Sequence, residues 1–119
     1  MTPAIFGIAG TALGADERAF FKDADPAGYI LFARNCESKD QLRALTDELR
    51  AIHGRDRLVI SIDQEGGRVA RMKPPVWQAY PAGEAFAALW DVAPASAIEA
   101  ARANAEAMGR ELATMGVTV

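Results

Sequence analysis

The sequence has one cysteine, Cys36, and one histidine, His53, among its 119 residues. A single cysteine excludes an internal disulfide, and sparse cysteine is typical of proteins in a reducing compartment, so we expect a cytoplasmic protein. No partner for Cys-His or His-Asp catalysis lies within reach of Cys36 in sequence. We expect no metal and no cofactor. Cys36 is interpreted as an incidental thiol, and His53 is predicted to stabilise the end of a helix.

Long apolar runs and a one-sided charge are also missing. No run approaches the ~20 apolar residues of a membrane span, and the N-terminal segment lacks the basic residues that open a signal peptide. The net charge is only −3, with acidic and basic residues interspersed. We therefore expect neither a membrane nor a nucleic acid as a partner.

The sequence does contain short apolar runs that alternate with amphipathic stretches. The apolar runs predict strands over Ile5–Ile8, Tyr29–Phe32, Leu58–Ile62 and, incompletely, Val117–Val119. The stretches between them predict helices over Ala15–Ala24, Ser38–Gly54, Ala82–Leu89 and Ser96–Gly116.

Two of these helices carry the capping-box pattern at their start. Ser38 is followed by Gln41, and Ser96 by Glu99, at the spacing that satisfies two free backbone amides. Each helix also has one apolar stripe at helical spacing. The stripes are Leu42, Leu45, Leu49 and Ile52 in the first, and Ile98, Ala101, Ala105, Met108, Leu112 and Met115 in the second.

Buried strands that alternate with helices indicate an α/β protein with a parallel sheet. Two architectures fit: an open doubly wound sheet, or a section of a (β/α)₈ barrel. Gly7, Gly10 and Gly14 do not have the G-x-G-x-x-G spacing of a dinucleotide site, which disfavours the first. A whole barrel takes ~250 residues. We therefore expect residues 1–119 to be the N-terminal portion of a longer barrel, with three βα units and the start of a fourth strand.

The stretch Leu58–Arg71 carries the most conspicuous polar cluster. A buried apolar run ends at Ile62, and it is followed by Asp63, Gln64, Glu65, the pair Gly66–Gly67, and then Arg68 and Arg71. In a parallel barrel, ligand-binding residues lie at the carboxyl ends of strands. An ionised carboxylate accepts paired hydrogen bonds, and a guanidinium donates from a planar fork, which suits the adjacent hydroxyls of a sugar.

The chain resembles glycoside hydrolase family 3. The resemblance rests on Ile30–Asn35, on the segment Ile62–Arg71, on Pro81-Ala82 with Ala85–Leu89, and on Gly109–Leu112. Within the family, the chain is most similar to the bacterial β-N-acetylglucosaminidases (β-N-acetylhexosaminidases) of peptidoglycan recycling. The resemblance covers essentially the whole chain.

The resemblance implies a (β/α)₈ barrel and a retaining glycosidase. It implies a nucleophilic Asp on a later strand, and an acid/base His on a mobile loop partnered by an Asp, both beyond Val119. His53 does not match that loop, so no catalytic residue is expected here. Asp63 and Arg71 match the family's residues that hold the terminal sugar, and they are the predicted substrate-binding residues. The expected partner is an N-acetylglucosamine-containing muropeptide or glycan.

Several alternatives remain open at this point. Glu65 is a candidate general acid, although the family does not use it so. Arg68 is predicted to brace the loop through Asp63 or Glu65, while Arg34 and Asn35 either line the pocket or stabilise a turn. An alternative function is a truncated, non-catalytic chain that binds sugar weakly or associates with itself.

Overall fold

The computed structural model describes residues 1–119 as a three-stranded parallel sheet with four α-helices. The elements are β1 (Thr2–Gly7), α1 (Ala15–Ala24), β2 (Pro26–Leu31), α2 (Lys39–His53), β3 (Val59–Ile62), α3 (Gly83–Val92) and α4 (Pro94–Thr114). The strands lie in the order β1-β2-β3, and both pairings are parallel. The predicted alternation of strands and helices and the parallel sheet are confirmed.

Residues 117–119 extend this sheet without forming a regular strand. The amide of Thr118 donates to the carbonyl oxygen of Ile60 at 2.8 Å, and the amide of Ile62 donates to that of Val119 at 3.2 Å. The segment therefore lies alongside β3 where a fourth strand was predicted. The expected position is correct, and the regular strand is not formed.

Helix α2 forms as its sequence predicts. The hydroxyl oxygen of Ser38 accepts from the amide of Gln41 at 3.2 Å, and the Gln41 side-chain oxygen accepts from the amide of Ser38 at 3.3 Å. Gly54 ends the helix with a φ of 59°. The predicted leucines Leu42, Leu45 and Leu49 are almost fully buried. They cover the sheet, where Tyr29, Leu31 and Ile60 form the other half of the core.

The prediction for the start of α4 is wrong. The helix begins at Pro94, and neither Ser96 nor any other side chain caps it. Proline fits the first helical position because its fixed φ is already helical and its missing N–H would have no helical acceptor there. The predicted apolar stripe is also wrong at Ile98, which is half-exposed, whereas Ala97 beside it is buried. Helix α3 begins one residue later than predicted and ends three residues later.

His53 belongs to a polar cluster at the amino end of the sheet. Its Nε2 lies 2.7 Å from the hydroxyl of Tyr29, and its Nδ1 lies 3.2 Å from a carboxylate oxygen of Asp25, which also binds Arg55. Burial, and then the Arg55 charge, lower the pKa of His53. Because the neutral ring is favoured, His53 stabilises the helix end through these two side-chain contacts and not as a cation near the helix dipole.

Candidate functional site

Asp63 and Arg71 lie together at the carboxyl end of β3. Asp63 follows the last residue of the strand, and its Oδ2 lies 3.3 Å from Nη2 of Arg71, eight residues further along the chain. Both side chains reach solvent, with 48% of Asp63 and 29% of Arg71 exposed. The pair thus presents a carboxylate acceptor and a planar donor group side by side at the edge where parallel sheets bind ligands.

Arg68 does not take the role predicted for it. It forms no ion pair and no side-chain hydrogen bond, and Arg71 is the residue that contacts Asp63. The side chain of Glu65 is exposed and also lacks a partner, while its amide donates to the carbonyl oxygen of Val69 at 2.8 Å. The bracing prediction for Arg68 is therefore wrong, because the turn through Gly66–Gly67 brings the later arginine back to the strand end.

Gly66 and Gly67 allow this turn to pack against a second segment of the loop. Their φ angles are 95° and 60°, in the left-handed region that favours glycine. A Cβ at Gly66 would overlap the carbonyl oxygen of Pro81, and a Cβ at Gly67 would lie 2.7 Å from that of Ala82. The two glycines are therefore a conformational requirement of this turn.

Gln64 is a residue that the sequence reasoning passed over. Its side-chain oxygen accepts from the amides of Arg71 at 2.8 Å and Met72 at 3.1 Å, and its side-chain nitrogen donates to the carbonyl oxygen of Met72 at 2.8 Å. One amide thereby closes the loop that runs from the end of β3 to Met72. The sequence did carry a signal for this role. Gln64 has a side chain that both donates and accepts hydrogen bonds, and it directly follows the candidate Asp63.

Asn35 and Arg34 stabilise the turn that follows β2. Asn35 is fully buried, and its side-chain nitrogen donates to the carbonyl oxygens of Ile8 and Gly10 at 3.0 and 2.7 Å. Its side-chain oxygen accepts from the amide of Phe32 at 2.8 Å. Arg34 donates to Ile8 and lies over the Phe32 ring. The turn interpretation is confirmed, because these groups join the ends of β1 and β2.

Trp77 and Tyr80 are the aromatic residues of the loop that follows Arg71. Trp77 is 4% exposed and belongs to the core. The pKa of Tyr80 is raised by burial and by its hydrogen bond to Glu111. A side-chain oxygen of Glu111 also accepts from the amide of Gln78 at 3.3 Å, so α4 anchors the loop.

The other reactive side chains do not add catalytic groups to this end of the sheet. Burial raises the pKa of the Cys36 thiol to about 11, which keeps it protonated and unreactive. The cluster around His53 lies at the amino end of β2, opposite the end that carries Asp63. No group of His, Cys, Asp and Glu side chains is placed to hold a metal ion. None of the helices combines the length and the apolar character needed to cross a membrane.

Comparisons with protein families and with known proteins all find relatives in one family. The family described as "Glycosyl hydrolase family 3 N terminal domain" matches residues 7–119. A β-hexosaminidase of Alkalilimnicola ehrlichii is 40% identical over 97% of this chain, and one of Xanthomonas campestris is 39% identical over 95%. The chain spans only 32% and 34% of the length of these two relatives.

Solved structures show the same likeness in three dimensions. The native NagZ of Neisseria gonorrhoeae superposes with a TM-score of 0.90 at 31% identity, over 98% of this chain and 34% of its own. A family 3 β-N-acetylglucosaminidase of a Paenibacillus species gives a TM-score of 0.82, over 96% of this chain and 21% of its own. The predicted fold, the N-terminal portion of the family's barrel, is confirmed.

Proposed function

The chain belongs to glycosyl hydrolase family 3, and we propose that it forms the part of a β-N-acetylglucosaminidase that holds the terminal sugar. The observation that carries this proposal is the contact between Asp63 and Arg71 at the carboxyl end of β3. Adjacent sugar hydroxyls can donate to the carboxylate and accept from the guanidinium at the same time. A NagZ from Neisseria gonorrhoeae has been solved with N-trifluoroacetyl-D-glucosamine, a ligand of the class that we propose here.

We further propose that the complete enzyme removes terminal β-linked N-acetylglucosamine from peptidoglycan-derived glycans in the cytoplasm, by a retaining mechanism. The family resemblance supports a covalent glycosyl-enzyme formed by an aspartate on a later strand. The contribution of this chain is to orient the substrate. Binding energy from hydroxyls remote from the reacting carbon can then support distortion at that carbon. Asp63 and Arg71 hold the sugar through hydrogen bonds. They do not transfer protons to it or form covalent bonds with it.

The 119-residue chain should bind a glucosamine probe weakly and should not hydrolyse an aryl N-acetyl-β-glucosaminide. The implied nucleophile and acid/base have no counterpart among these residues, whereas the two predicted binding residues are in place. Ligand-observed ¹⁹F NMR with N-trifluoroacetyl-D-glucosamine measures the binding. Release of the coloured aglycone measures turnover.

Two controls make this test specific. The full-length β-hexosaminidase of Alkalilimnicola ehrlichii, assayed under the same conditions, shows that the assay detects turnover. The variant Asp63→Ala should abolish the ¹⁹F signal change, whereas Glu65→Ala, which alters an exposed carboxylate without a partner in the same loop, should preserve it. Equal binding by the two variants, or turnover by the purified wild-type chain, would contradict the proposal.

A second proposal for the isolated chain is self-association. Several large apolar side chains are more than half exposed, among them Phe20, Trp90 and Val92. No residue of α3 is buried, although its sequence Gly-Glu-Ala-Phe-Ala-Ala-Leu-Trp-Asp-Val is largely apolar. Such surfaces and the open sheet edges favour contact with a second copy.

Sedimentation equilibrium should therefore give an apparent mass above that of one chain, rising with concentration. The double variant Trp90→Ser/Val92→Ser should lower that mass. Lys39→Ser, which changes an exposed polar residue on α2, is the control and should leave it unchanged. A wild-type chain that stays monomeric at all concentrations would show the self-association proposal to be wrong.

A further inference from the structure

We propose that Gln64 is a positioning residue for sugar binding, whose side-chain amide fixes the backbone at Arg71 and so holds its guanidinium against Asp63. This inference rests on the proposed function, since it assigns a role to a third residue of the same site. Gln64 does not itself contact the sugar in this proposal. It acts through Arg71.

The contacts of Gln64 are confined to the segment that carries Arg71. The side-chain amide binds the N–H of Arg71 and both the N–H and the carbonyl oxygen of Met72, at 2.8 to 3.1 Å. All the hydrogen bonds of the Gln64 side chain therefore go to two successive residues. A neutral amide can make this combination because it has both an acceptor and a donor end.

The Gln64 side chain acts as a clamp between its own backbone and the segment Arg71–Met72, and both ends of this clamp are fixed. Gln64 directly follows Asp63 at the end of β3, so its backbone position is set by the sheet. The side chain of Met72 is 1% exposed and belongs to the hydrophobic core. Between these points lie Gly66 and Gly67, which impose little conformational restriction in an unfolded or loosened loop. The Gln64 amide links the two sides of this glycine turn through the backbone of Arg71 and Met72, whereas Asp63 contacts only the side chain of Arg71.

Arg71 depends on this clamp for its direction. Its only hydrogen-bonding protein contact beyond the backbone is the 3.3 Å approach to Asp63, which is long for a charge-assisted hydrogen bond. Its Nε is buried without an acceptor. Since Asp63 holds the guanidinium only loosely, the orientation of the side chain follows from the position of its backbone. Small displacements of positioning groups have large effects on a bound ligand.

The experiment compares three variants of the whole 119-residue chain. Gln64→Met keeps the length of the side chain and removes its hydrogen bonds. Gln64→Glu restores an acceptor for the amides of Arg71 and Met72 without the donor. Gln78→Met is the matched control, because Gln78 lies in the same loop, is exposed, and its side-chain amide binds only the carbonyl oxygen of the neighbouring Ala79.

Two readouts separate positioning from general stability. Hydrogen exchange followed by mass spectrometry reports on the amides of Arg71 and Met72 and, separately, on those of α2. Ligand-observed ¹⁹F NMR with N-trifluoroacetyl-D-glucosamine gives the dissociation constant. For Gln64→Met we expect at least tenfold faster exchange around Arg71, unchanged exchange in α2, and about tenfold weaker binding. Gln64→Glu should recover part of the affinity, and Gln78→Met should match the wild type within twofold.

Several outcomes would overturn the inference. Exchange around Arg71 that is unchanged in Gln64→Met would show that the amide does not hold the segment. Exchange that rises equally in α2 would show that Gln64 serves only general stability. Faster exchange around Arg71 with unaltered affinity would show that the segment held by Gln64 does not position Arg71 for the sugar. If the wild-type chain itself fails to bind the probe, the proposed sugar site fails. The role of Gln64 in holding Arg71 is then decided by the exchange data alone.

Discussion

Replacing Gly66 with alanine should lower the free energy of unfolding by roughly 3 kcal/mol, the combined cost of an unfavourable backbone angle and of overpacking. At a φ of 95° an L-residue is strained wherever it occurs. The new methyl group would also overlap the carbonyl oxygen of Pro81, which is backbone and cannot rotate away. Urea unfolding, followed by circular dichroism at a fixed protein concentration, measures this loss.

Gly54→Ala is the matched control for this prediction. Gly54 also has a positive φ, 59°, but no atom lies within 4 Å of the position that a Cβ would take. Only the backbone cost remains, about 1 kcal/mol for a left-handed L-residue. Equal losses for the two variants would mean that the packing of Gly66 against Pro81 contributes nothing.

Replacing Asn35 with leucine should destabilise the chain by about 3 kcal/mol, since a buried polar group left unpaired costs about 1–3 kcal/mol. The substitution leaves the amide of Phe32 without its side-chain acceptor and the carbonyl oxygen of Gly10 without its side-chain donor. The carbonyl oxygen of Ile8 then keeps only the hydrogen bond from Arg34. These groups join the carboxyl ends of β1 and β2. The same unfolding experiment measures the effect.

The only other asparagine of the chain provides the control. Asn104 lies in α4, and its side chain forms no hydrogen bond with the protein. Asn104→Leu should change stability by no more than about 0.5 kcal/mol, the usual range for a surface substitution. If Asn35→Leu were tolerated as well as Asn104→Leu, the buried amide would not be what joins the two strand ends.

The sequence predicted those parts of the fold that depend on neighbours along the chain. The capping box of Ser38 and Gln41, the glycine stop and the leucine stripe of α2 are local features, and all three are confirmed. The start of α4 was missed because two local signals competed. Ser96 fits a capping box, whereas Pro94 fits the first helical position, and the helix takes the proline. Ile98 was predicted to lie on the apolar face of α4 but is half-exposed. Helical periodicity shows which residues share a face, but it does not show which face another element covers.

The residues of the candidate site were also predicted best where the sequence signal was local. Asp63 was recognisable as the first polar residue after a buried strand. Arg71 was matched through the family resemblance, and its contact with Asp63 depends on how the glycine turn directs the loop. Arg68 is closer to Asp63 in sequence than Arg71 is, so spacing alone favoured the wrong arginine. Gln64 was missed for a similar reason, because the two amides that donate to it and the carbonyl oxygen that accepts from it lie seven and eight residues away across the loop.

The order of strands in the sheet has a consequence for the synthesis of the protein. Each strand pairs with the strand that precedes it in the chain, and residues 117–119 add to the edge formed by β3. Each strand after β1 therefore finds its partner already synthesised, so the sheet can grow in the direction of translation. All partners of the Asn35 side chain precede Asp63 in the chain, so the bridge between the ends of β1 and β2 can form first. The supporting sheet can therefore be in place when the proposed sugar-binding loop is made.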